Sequence, residues 1–224
     1  MTWKTAHRSF YYQGAPAPED PVLEPAATAL LCIDVQNYGL VLHDDPAERA
    51  RWAPFHERMR GTLIPRLRGL QQSFRSAGID VIHARIACLL ADGRDRSLSQ
   101  KMPGWNNLLM PLDTPASQII PELAPAPGEI VVTKTTDSAL TGTNLRLMLA
   151  NMGIRNVVVA GIYTDQCVSS TVRSLADESF RVILVEDCCA AGTDELHRAE
   201  IAILNMIYCH VMTSDELRAL MGLA

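Results

Sequence analysis

Asn156-Val157-Val158-Val159-Ala160-Gly161-Ile162-Tyr163-Thr164-Asp165-Gln166-Cys167-Val168-Ser169-Ser170-Thr171-Val172-Arg173-Ser174-Leu175-Ala176 is the stretch on which the fold turns. Residues 156–160 are dominated by three consecutive valines, the pattern of a fully buried strand. Residues 161–166 read as a turn. From Cys167 onward the apolar residues Val168, Val172, Leu175 and Ala176 recur at helical spacing. A thiol at a strand-turn-helix junction faces the unpaired backbone N–H groups and the positive end of the helix dipole. Both favour the thiolate, which is the nucleophilic form. Taken alone, a cysteine among apolar residues also reads as a small buried hydrophobe.

Outward from that stretch, strands and helices alternate. Residues 28–33 predict a short buried strand ending at Asp34. Residues 56–76 carry Met59, Leu63, Leu67, Leu70 and Phe74 at helical spacing and stop at Gly78. Strands are expected at 80–86, 129–133, 181–186 and 209–212. Helices are expected at 140–152, closed by Gly153, at 167–179 and 194–206, and from Ser214 onward. Residues 87–128 hold nine of the chain's glycines and prolines and read as a covering loop with one short helix near 115–122. Apolar strands alternating with amphipathic helices predict an α/β fold: a single-domain, doubly wound, mostly parallel sheet with helices on both faces. Residues 1–26 form an extended N-terminal arm with Pro16, Pro18, Pro21 and Pro25, and residues 27–224 form the domain. The arm's Trp3, Phe10, Tyr11 and Tyr12 need either their own domain or a neighbouring subunit to cover them.

The chain has 224 residues, 48% hydrophobic and 20% charged, enough for one sizeable core. A net charge of −5 without any Lys/Arg run argues against a nucleic-acid surface. The start lacks the apolar segment of a signal peptide, and no apolar run reaches membrane-spanning length. Six cysteines follow neither a disulfide framework nor a zinc-ligand spacing. The expectation is a reduced, cytoplasmic protein without a membrane partner.

In an open parallel sheet, ligands bind beyond the carboxyl ends of the strands. Asp34 ends the first strand, Lys134 ends the third and Cys167 follows the fourth. Each has a plain reading: a turn cap for Asp34, a solvated cation for Lys134 and a core thiol for Cys167. Together on one rim they make an acid, a cation and a nucleophile, the parts needed to activate a thiol.

Ile33-Asp34-Val35-Gln36-Asn37, Lys134 before a Ser/Thr-rich stretch, Gly161-Ile162-Tyr163-Thr164-Asp165-Gln166-Cys167-Val168 and the later Val182-Ile183-Leu184-Val185-Glu186-Asp187-Cys188-Cys189-Ala190 resemble the isochorismatase-like cysteine hydrolases. The resemblance runs in order from about residue 28 to 217. It implies a doubly wound sheet, a triad of Asp34, Lys134 and Cys167, and no cofactor. It also implies a non-proline cis peptide at Ile162–Tyr163, which would aim the N–H groups of Tyr163 and Cys167 at one point as an oxyanion hole. Tyr163 is larger than the residue many relatives carry there. The family includes nicotinamidases, N-carbamoylsarcosine amidase, ureidoacrylate and biuret hydrolases, and the isochorismatases.

Two departures narrow the reading. Nicotinamidases hold a metal through an Asp-x-His pair after the second strand, whereas this chain has Ile82-His83-Ala84-Arg85-Ile86-Ala87, so no metal is expected and His83 reads as a half-buried strand residue. Isochorismatases that cleave a vinyl ether often lack the cysteine, so Cys167 favours acyl transfer. The expected activity is cleavage of the C–N bond of a small amide or ureido/carbamoyl compound through a thioester. The alternatives are a vinyl ether hydrolase and a non-catalytic scaffold. Gln36, Tyr38, Leu40, Arg85, Trp105 and Ile162 are candidate substrate contacts. Arg94 and Arg96 read as a surface cluster with Asp92 and Asp95. The vicinal pair Cys188-Cys189 is not expected to close a bridge. A homodimer or homotetramer is expected, partly from the resemblance and partly from the arm.

Overall fold

The computed structural model describes residues 2–223. In chain order the strands are β1 (Thr28–Ile33), β2 (Asp80–Ile86), the two-residue strands β3 (Lys101–Met102) and β4 (Asn106–Asn107), then β5 (Ile130–Lys134), β6 (Asn156–Ile162), β7 (Arg181–Ala190) and β8 (His210–Met212). β3 and β4 form a small antiparallel ribbon. The other six make one sheet in the order β5-β2-β1-β6-β7-β8, every neighbouring pair parallel. The chain therefore winds outward from β1 to one edge, returns, and winds from β6 to the other. β1 and β6 meet where the winding reverses, and the crevice beyond their carboxyl ends is the binding position of such a sheet.

The helices are α1 (Pro46–Arg58), α2 (Ile64–Ser76), α3 (Leu145–Asn151), α4 (Ser169–Asp177), α5 (Asp194–Leu204) and α6 (Ser214–Met221). Successive strand residues point to opposite faces, which splits the core in two. Leu30, Cys32, Val158 and Ala160 pack against Phe55, Leu67, Leu70 and Phe74 of α1 and α2 and Leu217 of α6. Ala29, Leu31, Ile33, Val157 and Val159 pack against Leu145 and Leu149 of α3, Val172 and Leu175 of α4, and Ile201 and Leu204 of α5. The doubly wound arrangement with helices on both faces is present.

Several boundaries differ from the sequence reading, each for a local reason. The helix expected at 56–76 begins ten residues earlier, because Asp45 accepts from the Ala47 N–H at 3.1 Å and Pro46 occupies the first turn, where its missing N–H costs nothing. A π-helical turn, Met59–Leu63, joins α1 to α2. α3 is shorter than expected, since residues 135–144 are spent in turns before it. β7 continues to Ala190, four residues past the expected end, and pairs Gly161 with Cys189 and Ile162 with Ala190 across a register shift. Residues 115–117 and 121–123 are two 3₁₀ turns in place of one helix.

The N-terminal arm is docked on its own domain. Trp3 is buried, its backbone N–H donates to Glu216 Oε1 at 2.8 Å, and its ring meets His210 edge-on. Asn205 donates to the carbonyls of Ala6 and His7. Trp3 thus needs no second chain to cover it, whereas Phe10 and Tyr11 stay exposed. Among the described residues no helix is long and apolar enough to cross a membrane.

Candidate active site

Asp34, Lys134 and Cys167 come together at the winding reversal. Asp34 directly follows β1, Lys134 is the last residue of β5, and Cys167 lies in the π-helical turn Thr164–Val168 between β6 and α4. β2 separates β5 from β1, and two strand spacings amount to about 10 Å. Only a long side chain spans that distance. Lys134 Nζ stands 2.7 Å from Asp34 Oδ2 and donates to Cys167 Sγ at 3.3 Å and to the Thr136 carbonyl at 3.1 Å. All three residues are buried, at 6%, 1% and 7% exposure, so their charges act with little screening.

Backbone geometry holds the group. Asp34 adopts φ 54°, uncommon outside glycine, and its N–H is tied to the Ala84 carbonyl of β2 at 2.9 Å. Gly161 has φ 128°, and a Cβ there would stand 2.0 Å from the Ile33 carbonyl oxygen. Glycine is what lets β6 pass so close to the end of β1. The Ile162–Tyr163 peptide is cis, as the resemblance implied.

The protonation state follows from burial and neighbours. Burial raises the Asp34 carboxyl above its ordinary value, with Lys134 opposing. Burial pulls the Lys134 ammonium down, but Asp34 and Cys167 outweigh it and leave it raised. Burial, then Asp34, push the Cys167 thiol well up, and Lys134 offsets only part of this. The thiol is therefore held protonated, beside the Lys134 ammonium that stands between it and Asp34. This corrects the expectation that a helix N-terminus supplies the thiolate: Cys167 sits within the π-helical turn, ahead of the first residue of α4, and is desolvated. A cavity of about 680 Å³ opens over Cys167 and Asp34.

The isochorismatase domain profile matches residues 28–216, most of the chain. This chain belongs to the isochorismatase family. Among its relatives is the ureidoacrylate amidohydrolase RutB of Methylobacterium radiotolerans, 29% identical over 205 residues, covering 85% of this chain and 78% of that protein. An isochorismatase family protein from Desulfovibrio vulgaris superposes with a TM-score of 0.73 at 27% identity, covering 88% of this chain and 98% of the other. The N-carbamoylsarcosine amidase of Thermoplasma acidophilum shares the fold, with a TM-score of 0.66 at 24% identity over 84% of this chain and 96% of its own.

In this isochorismatase-family chain the expected wall residues divide. Gln36, Tyr38, Trp105, Ile162 and Tyr163 line the cavity. The Gln36 amide is already engaged, however: its Nε2 donates to the Ile86 and Ser117 carbonyls at 2.9 and 2.7 Å, and its Oε1 accepts from the Ile86 N–H at 3.0 Å. Gln36 thus ties the end of β2 to the covering loop. Leu40 and Arg85 do not line the cavity. Leu40 packs against the α1/α2 side of the core. Arg85 is drawn aside to Gln118 Oε1 at 2.7 Å and Thr133 Oγ1 at 3.3 Å. Arg94 pairs with Asp92 at 3.0 Å, while Arg96 braces the loop through the Gly93 and Gln100 carbonyls and Asn107 Oδ1. His83 is fully buried rather than half-buried, because Glu129 meets it at 3.1 Å and satisfies its ring. Among the described residues no three His, Cys, Asp or Glu side chains converge to hold a metal.

The sequence reading missed Gln100, Asp137, Asp165 and Arg173 on the wall. Asp137 had a usable signal, lying three residues past a residue already placed on the rim. Arg173 lies one helical turn beyond Ser169 and Ser170, which line the same cavity. Gln100 had none, since its position depends on how the covering loop folds back.

Proposed function

We propose that this chain is a cysteine amidohydrolase that cleaves the C–N bond of a small amide or ureido/carbamoyl compound through a thioester. The observation that carries the reading is Lys134 Nζ poised between Asp34 Oδ2 and Cys167 Sγ, behind the cavity that Asp34 and Cys167 line. Burial keeps the thiol protonated, so a base must remove its proton as it attacks, and Asp34 is the carboxylate beside it. The sulfur bonds to the substrate carbonyl carbon, and the oxyanion rests on the N–H groups of Tyr163 and Cys167. Asp34 returns the proton to the leaving nitrogen as the C–N bond breaks, releasing ammonia or an amine. Water, deprotonated by Asp34, then adds to the thioester, and the sulfur leaves as the thiol. Lys134 remains charged throughout and stabilises whichever neighbour is anionic. The names of two relatives, a ureidoacrylate amidohydrolase and an N-carbamoylsarcosine amidase, support a carbamoyl or amide substrate. A homodimer or homotetramer, with the arm or the last helices in the contact, belongs to the same reading. Exposed Phe10 and Tyr11 support it, and light scattering at micromolar concentration measures it.

Ammonia release from a panel of small amides, ureas and carbamoyl compounds tests the reading, before and after one equivalent of iodoacetamide. At least one compound should release ammonia, and that release should vanish as Cys167 is alkylated. A vinyl ether hydrolase keeps its activity after alkylation, and a scaffold cleaves nothing. Either result ends the amidohydrolase reading.

A further inference from the structure

Asp137, an exposed carboxylate on the cavity wall, stands with Oδ1 3.8 Å from Cys167 Sγ and acts on the sulfur in addition to Asp34. Its position is built rather than incidental. Gln100, itself 3% exposed, donates to the same oxygen at 3.2 Å, and the Ser97 N–H bonds the Thr135 carbonyl, so the covering loop is pinned to the segment that carries Asp137. The charge around it is unbalanced. Asp34 is matched by Lys134, and Arg173, the basic residue on the wall, is matched by Glu200 at 3.0 Å. Among the described residues neither Asp137 nor Asp165 has an ion-pair partner, and Asp165 Oδ1 is buried without a hydrogen bond. A substrate carboxylate placed next to the scissile carbonyl would meet Asp137 with no free cation to receive it. An N–H or ammonium group in the same place would find an acceptor already oriented.

Resting on the amidohydrolase reading, we propose that Asp137 determines specificity: it selects neutral or cationic substrates that present an N–H or ammonium group beside the scissile carbonyl, and excludes those with a carboxylate there. The Asp137 carboxylate also faces the sulfur itself, and its charge is one of the influences holding the thiol protonated.

Two readouts test this, one of which does not need turnover. The first compares Cys167 labelling by 2-aminoethyl and 2-sulfonatoethyl methanethiosulfonate, a cationic and an anionic reagent, with the labelled peptide identified by mass spectrometry. Asp137→Asn should lower the cationic-to-anionic rate ratio about tenfold, equivalent to about 1.4 kcal/mol. Asp92→Asn, which removes the same net charge at an exposed ion pair, should leave the ratio unchanged. The second compares kcat/KM for glycinamide, propionamide and malonamate, which share the amide and its neighbouring methylene. Wild type should disfavour malonamate, and Asp137→Asn should narrow the gap between malonamate and glycinamide about tenfold. A labelling ratio equal in wild type and Asp137→Asn, or a wild-type preference for malonamate, overturns the proposal. A ratio that shifts while no amide is cleaved by wild type supports Asp137 as the charge filter at the sulfur and overturns the amidohydrolase reading instead.

Discussion

Cys167 and Cys189 are both buried thiols near the carboxyl ends of neighbouring strands, and their surroundings differ in kind. Cys189 is 0% exposed within β7, opposite Gly161, with Val157, Val159 and Leu184 in the same apolar cluster. Burial pushes its thiol up to about 12, the Gly161 backbone and Arg58, which donates to the Cys189 carbonyl at 2.8 Å, offset only part of this, and it does not line the cavity. Cys167 is almost as deeply desolvated, yet an ammonium stands 3.3 Å away, a carboxylate acts on it, and a cavity opens over it. Burial alone makes an inert thiol. What distinguishes Cys167 is a charged pair that can accept and return its proton, together with room for a substrate. Desolvation then serves the chemistry, since the same low dielectric strengthens the Lys134 interaction when the sulfur becomes anionic.

The largest effect expected from breaking this contrast is at Cys167 itself. Cys167→Ala should lower turnover by at least about a thousandfold, roughly 4 kcal/mol of barrier, with the circular dichroism of the fold unchanged. Activity within about tenfold of wild type would falsify the nucleophile assignment, because no other thiol lines the cavity.

Removing the cation should bring Cys167 closer to Cys189 in behaviour. Lys134→Met keeps the length of the side chain and deletes the charge. The substitution removes the positive charge that lowers the Cys167 thiol and leaves burial and Asp34, which raise it. The Cys167 pKa should rise, and the pH profile of iodoacetamide alkylation should move to higher pH by at least about one unit. Turnover should fall about a hundredfold, less than for Cys167→Ala, because the nucleophile and base both remain. An alkylation profile that superposes on wild type would make Lys134 a structural ion-pair partner only. The melting temperature should fall in either case, since breaking a buried pair destabilises the fold, so the alkylation profile decides between them.

The same contrast explains what the sequence made legible. The sheet, its helices on both faces and the three residues of the site lie on strands or at their ends, where apolar runs and chain order constrain position. Asp34 and Lys134 were found because they stand at the ends of β1 and β5, and Cys167 because it stands in the short turn that joins β6 to α4. The walls were found only in part, Gln36, Tyr38, Trp105 and Ile162 but not Gln100 or Asp137, because residues 36–45 and 87–128 carry little periodicity and their side chains are placed by long-range hydrogen bonds. Gln36 looked free in sequence, but its partners lie 50 and 81 residues away. Arg85 looked like a substrate ligand until Gln118, from the covering loop, captured it. How far burial raises the Cys167 thiol was not legible either, since local pattern reports a helix boundary whereas desolvation depends on the whole packed shell.

Cys189 supplies the smallest expected effect and the sharpest control. Cys189→Ala removes one sulfur from a packed cluster between β6 and β7 and leaves every group around Cys167 in place. A small buried truncation of this kind should cost about 1 kcal/mol, which lowers the melting temperature of a chain this size by about 2–4 °C. Turnover and the alkylation of Cys167 should match wild type. The Gly161–Cys189 pairing adjoins the turn that leads to Tyr163, so the control has a sensitive direction. If Cys189→Ala lowered kcat while the melting temperature held, β7 would be positioning the oxyanion turn, and the division between an inert and a reactive thiol would have to include that coupling.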